Sequence, residues 1–264
     1  MTCSSASCGR TYNIKNGIPV LLTGGDAPEQ EESGFYPKIL GGTMEDNPNS
    51  VFANYDSAIR VHYLKKHLDD GAVDGLILDV CCSKAPFYPF LKDWGFGGKV
   101  FGADLLFHQL ETASERGVNA VQANALRLPF ADAHFSHAIF TDALVHLMKR
   151  EDQQGVLNEI ARILKPGGLL LMTATNLSYV AISSLISGHD ALKSDYCTYF
   201  SRGEIEDLTK KRFRIESYDA FGFYYLIPYP LRQTSSILYG FDRLLNNPLT
   251  RKLGMVNFFK LRRL

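Results

Sequence analysis

The sequence predicts an α/β protein with a doubly wound, mostly parallel sheet. Short, almost continuously apolar runs recur along the chain, and amphipathic helical patterns fill the gaps between them. Strands separated by helices form parallel βαβ units with right-handed crossovers, and continuously apolar strands belong to a sheet that is covered on both faces. The predicted strands are residues 76–82, 100–104, 120–124, 137–141, 169–175 and 214–221.

Composition limits the class of protein. The chain has 264 residues, 45% of them apolar and 21% charged, which suits one large globular domain with appendages and excludes a disordered or disulfide-stapled chain. Lys and Arg number 28, as do Asp and Glu, so the chain lacks the basic field that phosphate-based nucleic-acid binding requires. We therefore expect no nucleic-acid partner.

Three regions follow from the pattern along the chain. Residues 1–48 are rich in glycine and carry one compact apolar stretch, which predicts an irregular N-terminal extension. Residues 49–229 hold the alternating strands and helices, including a helix that starts near Asn49 and a helix over 151–164 that stops at a Lys-Pro-Gly-Gly turn. A further apolar run covers 223–229. Residues 230–264 are expected to form a C-terminal helix and a basic tail.

The basic tail carries most of the chain's charge asymmetry. Residues 240–264 contain six basic residues and one acid, a net charge of +5. Such a tail could contact a membrane surface, a protein partner or a second copy of the chain. A terminal helix with a solvated basic face is the simpler interpretation.

The cysteines indicate a reducing, cytoplasmic setting. Their number is odd, they are scattered, and no signal-peptide pattern precedes them. No apolar stretch approaches the length of a membrane span, so stable membrane insertion is not expected.

A ligand site is predicted at the carboxyl ends of the first strands. In an open parallel sheet, ligands bind where strand order reverses, near the first β-to-α turn, here residues 79–86. Asp104 ends the next strand, and its carboxylate can accept two hydrogen bonds from a ribose diol. The alternative is that Asp104 caps the following helix.

The order of these segments resembles the class I S-adenosylmethionine-dependent methyltransferases, in particular the type 11 small-molecule group. The resemblance covers residues 50–222 and rests on five segments, namely 76–80, 100–104, 122–125, 128–135 and 162–168. It implies a Rossmann-like fold with a seven-strand sheet, S-adenosylmethionine as cofactor, and methyl transfer to a small-molecule acceptor. The implied cofactor-binding residues are Asp79, Cys81, Ser83, Asp104, Leu105, Asn124, Ala125, Leu126 and Thr141.

The chain departs from the family at the first turn and on the adenine side. Cys81, Ser83 and Ala85 stand at positions that are glycine in the family, where a missing Cβ lets the backbone approach the cofactor. Asn124 stands where the family usually has Asp. A methyltransferase-fold protein without methyl transfer, either another catalyst or a noncatalytic partner subunit, is therefore the alternative function. A nicotinamide-dependent oxidoreductase is disfavoured, because no Gly-x-Gly-x-x-Gly turn is present.

Two cysteine patterns suggest metal chemistry but have simpler readings. Cys81 and Cys82 are adjacent on a strand end and so point to opposite faces, which favours buried thiols. Residues 8–22 resemble the closing half of a small zinc-ribbon-type domain that accompanies some methyltransferases. That domain supplies four ligands, whereas this chain has only Cys3 and Cys8 there, so we expect a packed remnant without zinc.

His146 is the candidate catalytic residue. It follows the fourth strand, where the resemblance places the acceptor pocket, and an imidazole can remove a proton from an acceptor hydroxyl. A structural histidine is the alternative. Residues 176–201 are expected to form a lid whose aromatic side chains either line a pocket for a flat or lipid-like molecule or pack in the core, namely Tyr179, His189, Tyr196, Tyr199 and Phe200.

Overall fold

The computed structural model describes residues 10–23, 51–68, 75–187, 197–227 and 234–264. The strands are β1 (Asn13–Lys15), β2 (Ile18–Val20), β3 (Ile77–Val80), β4 (Val100–Asp104), β5 (Asn119–Gln122), β6 (Phe135–Phe140), β7 (Leu164–Thr175), β8 (Phe213–Phe221) and β9 (Val256–Arg263). The helices are α1 (Val51–Leu68), α2 (Tyr88–Leu91), α3 (Phe107–Glu115), α4 (Arg150–Ile163), α5 (Leu177–Ser187), α6 (Arg202–Thr209) and α7 (Ser235–Leu245).

The nine strands form one sheet in the order β1-β2-β5-β4-β3-β6-β7-β9-β8. The five central strands from β5 to β7 run parallel, and β9 lies antiparallel between β7 and β8. Apolar side chains of α4 and α6 pack on one face, and those of α1, α2 and α7 pack on the other. This arrangement confirms the predicted doubly wound α/β fold, with the hairpin β1–β2 added to the expected seven strands.

The seventh strand of the core comes from the basic tail. The apolar run at 223–229 forms no strand in its described part, because Phe223–Leu226 form a short 3-10 turn. Strand β9 takes the place, and its residues 256–261 are buried. Glu216 on β8 lies 3.9 Å from Lys260 and also pairs with Arg262, so the neighbouring strand compensates the tail's charge.

The interpretation of the tail as a solvated terminal helix is therefore wrong. Residues 256–261 are inside the sheet and offer no free basic surface to a membrane or a partner. The helix expected before the tail is present as α7.

The described part of the N-terminal extension is an ordered hairpin at the sheet edge. Strand β2 pairs in parallel with β5 at Val20 and Gln122, and the side chain of Ile18 is only 1% exposed. The segment 10–23 therefore extends the sheet. The remainder of residues 1–48, including Cys3 and Cys8, lies outside the described residues.

The segment after β7 is described only in part. It begins with α5 and resumes at Cys197, while His189 and Tyr196 of the predicted lid lie outside the described residues. Phe200 is 4% exposed and belongs to the core. Over the described ranges, no helix is both long and apolar enough to cross a membrane.

Candidate active site

The turn after β3 has a backbone conformation that normally needs glycine. Cys81, Ser83 and Ala85 have φ angles of 56°, 50° and 51°, all in the left-handed region. Non-glycine residues rarely adopt this region, because their Cβ crowds the backbone. These are the three positions that the resemblance assigns to glycine, so the chain keeps the loop conformation without the glycines.

The carboxylate of Asp104 connects this turn to the next strand. Its Oδ2 accepts a hydrogen bond of 2.8 Å from the Ser83 backbone N–H, and its Oδ1 accepts one of 2.9 Å from the Leu106 N–H at the start of α3. Helix α3 begins at Phe107 with Leu106 as its N-cap and no side-chain cap, so Asp104 fixes the segment before the helix and does not cap it. Each carboxylate oxygen has a second lone pair. The carboxylate can therefore still accept hydrogen bonds from a ribose diol.

Asp79 is buried next to Asp104. Burial raises the pKa of Asp79 to about 8, with a further contribution from the negative charge of Asp104. Burial also raises the pKa of Asp104, although the N–H groups of Leu106 and Ser83 act in the opposite direction. No hydrogen bond to the Asp79 side chain is found in the described part of the chain, so this carboxyl does not tie the first turn through such a bond. At neutral pH it holds its proton.

Two glutamines, which the sequence analysis did not single out, form hydrogen bonds with residues of the site. The side chain of Gln122 donates from Nε2 to the Leu105 carbonyl at 2.8 Å. The backbone carbonyl of Gln122 accepts from the Leu21 N–H at 2.9 Å. Gln109 accepts at Oε1 from the Ser83 hydroxyl at 3.2 Å. Both are buried. No local sequence signal distinguishes them from surface glutamines.

Asn124 closes a tight turn after β5. Its side-chain oxygen accepts from the Leu126 N–H at 2.9 Å. Ala125 and Leu126 are half-buried, and Leu126 lies so close to Gly155 that a Cβ there would be 2.8 Å from its Cδ2. One acceptor position of the Asn124 oxygen is thus already used, and the turn places the side chain of Leu126 against α4.

The carboxyl end of β6 carries a polar network that the sequence analysis missed. Asp142 pairs with Arg60 of α1 at 2.5 Å and bonds through its N–H to the Thr173 hydroxyl at 2.9 Å. Arg60 also pairs with Asp56 at 2.7 Å. The neighbouring Thr141 is half-buried. Arg60 could not be assigned from sequence, because its position depends on how α1 packs across the sheet.

His146 lies in the short turn Leu144–His146 that follows β6 and is half-buried. Its Nδ1 is 3.9 Å from the Cys197 sulfur. The Thr198 N–H donates to the Val145 carbonyl at 2.7 Å, which fixes the chain at residues 197–198 on this turn. The Tyr179 ring, at the start of α5, meets the Tyr225 ring edge-on at 4.9 Å between centroids. Both tyrosines belong to the segments that follow the carboxyl ends of β7 and β8.

The vicinal thiols have a packing role at Cys82. This side chain is 3% exposed, and a Cβ added to Gly102 would lie 2.8 Å from its sulfur. Burial raises the pKa of both Cys81 and Cys82, which keeps them as thiols. In the described ranges, no cluster of three or more His, Cys, Asp or Glu side chains is arranged to hold a metal.

Comparison with known proteins agrees with this geometry. Residues 78–172 match the family described as a methyltransferase domain. A demethylmenaquinone methyltransferase of Lactococcus lactis is 30% identical over 156 residues, which are 53% of this chain and 61% of the relative. The chain thus spans less than two thirds of the length of this relative.

Two solved structures share the fold. A methyltransferase of Thermotoga maritima, described as a possible histamine N-methyltransferase, aligns with a TM-score of 0.57 at 18% identity, covering 87% of this chain and 99% of the other. A chain from the complex between the Haloferax volcanii Trm112 methyltransferase activator and a methyltransferase aligns with a TM-score of 0.54 at 18% identity, covering 78% and 91%. The family match over residues 78–172 confirms the resemblance to methyltransferases, and the two solved structures agree in fold.

Proposed function

We propose that this protein transfers the methyl group of S-adenosylmethionine to a small-molecule acceptor, as the match of residues 78–172 to the methyltransferase-domain family supports. The observation that carries the proposal is the first turn. Cys81, Ser83 and Ala85 keep a left-handed backbone although none of them is glycine. Such strain persists only where the surrounding structure maintains it, and it concentrates at ligand sites.

The polar groups at this edge fit the cofactor. Asp104 retains acceptor capacity for two ribose hydroxyls, and the half-buried Leu105 follows it directly. The turn of Asn124, Ala125 and Leu126 borders the adenine in this proposal, with Asn124 as acceptor for the exocyclic amine. The buried carboxyl of Asp79 lies beside the turn that would receive the methionine part.

S-adenosylmethionine, when bound, supplies a methyl group on a positively charged sulfur. The protein's task is then to align the acceptor and to exclude water. We assign alignment to the turn at 81–85 and to Thr141. His146 accepts the proton of an acceptor hydroxyl in this proposal, and the returning segment at Cys197 and Thr198 holds that imidazole in place.

The direct test is calorimetric titration of the full chain with S-adenosylhomocysteine. The wild type and Asp93→Ala should bind it alike, because Asp93 lies on an exposed turn after α2. Asp104→Ala should bind it weakly. Absence of binding to the wild-type protein at millimolar ligand would refute the assignment.

A second candidate is a methyltransferase-fold protein that does not transfer methyl groups. The chain itself occupies one acceptor position on each Asp104 oxygen and on the Asn124 side-chain oxygen, which favours a site that is satisfied without a cofactor. Titration with S-adenosylhomocysteine distinguishes the two functions, since methyl transfer predicts binding and the second function predicts none.

The acceptor and setting are proposed as follows. The relative named above acts on demethylmenaquinone, and the ring pair of Tyr179 and Tyr225 suits a flat acceptor with an apolar part. Cys81 and Cys82 form no disulfide, which supports a cytoplasmic setting. The hairpin at 10–23 forms one edge of the sheet, and we propose the N-terminal extension as the contact for a second copy or a protein partner.

A further inference from the structure

The N-terminal hairpin of β1 and β2 continues a row of paired residues that leads to the proposed ribose ligand. Val20 of β2 pairs with Gln122 of β5, and Gln122 pairs in turn with Asp104 of β4. Residues that pair across a sheet direct their side chains to the same face. The hairpin lies outside residues 78–172, so it is an addition to the part of the chain that matches the methyltransferase family. It reaches the candidate site from the side of β5.

Strand β2 ends at the same edge of the sheet as β5, because the two strands run parallel. The Leu21 N–H donates to the Gln122 carbonyl at 2.9 Å. The next pair of strands repeats this bond, with the Ala123 N–H on the Asp104 carbonyl at 2.9 Å. Leu21 is half-buried and packs against the apolar cluster that contains Ala123. The chain that leaves β2 therefore lies next to the segment that leads into Asn124.

Gln122 bonds both to the hairpin and to the segment after Asp104. Its backbone carbonyl accepts from the Leu21 N–H, and its side-chain Nε2 donates to the Leu105 carbonyl at 2.8 Å. Gln122 is only 6% exposed, so water does not readily replace this side-chain bond. The bond fixes the peptide after Leu105, and with it the direction of that half-buried side chain. The position of Leu105 in the site therefore depends on how Gln122 is held.

The hairpin also packs against helix α3, which begins directly after this segment. Ile18 is 1% exposed and shares a buried apolar cluster with Leu110 of α3 and Cys82 of the first turn. Burial of an apolar side chain of this size stabilises the contact between the elements that enclose it. Ile18 thus joins the hairpin to two elements that carry residues of the candidate site.

Two polar contacts at the surface add to the attachment of the hairpin to α3. The Lys15 ammonium lies 4.3 Å from the centre of the Phe107 ring. Asn16 donates from Nδ2 to the Glu111 Oε1 at 2.8 Å. Lys15 and Asn16 are exposed, and exposed contacts of this kind are individually weak. The hairpin is therefore held on α3 mainly by the buried side chain of Ile18.

Given the proposed function, on which this inference rests, we infer that the hairpin is a positioning element of the cofactor site. Gln122 is the positioning residue through which the hairpin acts on the adenosine side. The hairpin holds the Leu105 peptide and α3 in the arrangement that receives adenosine before the ligand arrives. A preorganised site binds more tightly, because less of it has to be ordered on binding. Such coupling is reciprocal, so a bound cofactor must in turn stabilise the attachment of the hairpin.

The first test is calorimetric titration of the full chain with S-adenosylhomocysteine. Gln122→Met keeps the size of the side chain and removes its donor, so binding should weaken about three- to tenfold, the usual effect of losing one neutral hydrogen bond. Ile18→Ala loosens the hairpin from α3 and should weaken binding as well. Ile14→Ala is the matched control, because Ile14 lies in the same hairpin but is 56% exposed. It should leave binding within about twofold.

Hydrogen exchange of residues 10–23 separates positioning from a merely structural role of Gln122. In the wild type, saturating S-adenosylhomocysteine should slow exchange in this segment about threefold or more, by the reciprocity of the coupling. In Gln122→Met, most of this ligand-dependent slowing should be lost. A residue that only stabilises the fold would change exchange equally with and without the ligand and would leave the difference intact.

Circular dichroism establishes that each variant is folded, and Ile18→Val replaces Ile18→Ala should the latter unfold. Binding of S-adenosylhomocysteine to the wild type without slower exchange at residues 10–23 would overturn this inference and leave the proposed function standing. Unchanged binding to Gln122→Met, or equal losses in Ile18→Ala and Ile14→Ala, would also overturn it. Absence of binding to the wild type would refute the proposed function, and this inference with it.

Discussion

Replacing Cys81 by glycine tests the backbone of the first turn. Cys81 has a φ of 56°, and the left-handed region costs an L-residue about 1–2 kcal/mol. Glycine is free of this cost but loses about 0.5–1 kcal/mol through its greater freedom in the unfolded chain. Cys81→Ala removes the thiol and keeps the Cβ, so it is the matched reference. We expect Cys81→Gly to be more stable than Cys81→Ala by about 0.5–1 kcal/mol.

The assay is urea denaturation followed by far-ultraviolet circular dichroism. Ala58→Gly is the internal control, because Ala58 is exposed on helix α1, where glycine should cost about 1 kcal/mol. The two glycine substitutions should therefore have opposite signs. A Cys81→Gly protein that is less stable than Cys81→Ala would refute the strained-turn reasoning.

The same turn links stability to ligand binding. The double variant Cys81→Gly/Ser83→Gly lacks two Cβ atoms that would lie between a cofactor and the backbone of the turn. It also loses the hydrogen bond from the Ser83 hydroxyl to Gln109. If the side chains only obstruct a working cofactor site, S-adenosylhomocysteine should bind more tightly to the double variant. If the turn has been remodelled for another ligand, binding should stay absent and stability should fall.

Three other substitutions or measurements test separate groups. Asp104→Ala should weaken S-adenosylhomocysteine binding by about 1.5–3 kcal/mol in calorimetry, and an unchanged dissociation constant would leave Asp104 only its hydrogen bonds to the Ser83 and Leu106 N–H groups. The folded pKa of Asp79 is raised from 3.8 to about 8, so its contribution to stability is present below the lower value and is lost as pH rises through the higher one. Between these values, the free energy of unfolding of the wild type should fall with pH by up to ~1.4 kcal/mol per unit, and Asp79→Asn should lack this fall. Urea unfolding at several pH values measures it, and parallel pH profiles of the two proteins would contradict it. Purified, untagged protein should hold much less than one zinc per chain by elemental analysis; stoichiometric zinc would instead point to a site completed by another subunit, since Cys3 and Cys8 supply only two ligands.

Most of the sheet could be predicted because its strands have a recognisable pattern in the local sequence. Strands β3 to β8 are apolar runs bounded by glycine or polar turns. Their predicted bounds lie within two residues of the observed ones, except that β7 begins five residues earlier than predicted. Strand β9 escaped prediction because its basic residues resemble a solvated surface. Lys260 and Arg262 are accommodated by Glu216 on another strand, and that pairing is visible only after the sheet has formed.

At the site, sequence reasoning located positions better than interactions. Asp104 was predicted either to bind ribose or to cap a helix, and the structure shows it bonded to the Ser83 and Leu106 N–H groups without capping α3. The raised pKa of Asp79 depends on burial and on a neighbouring strand, neither of which is a local property. The ion pair between Arg60 and Asp142 depends on the packing of α1 across the sheet.

The interior position of β9 also constrains the order in which the sheet can be completed. Among the described strands, β8 pairs with β9 alone, although β8 is made earlier. During synthesis, β8 therefore stays unpaired until β9 has been made. The 34 residues between them separate residue 221, which ends β8, from residue 256, which begins β9. Both β8 and the free edge of β7 then expose unpaired backbone groups, the kind of surface on which partly folded chains associate. The charged residues of β8, including Arg214 and Glu216, discourage such association until β9 arrives.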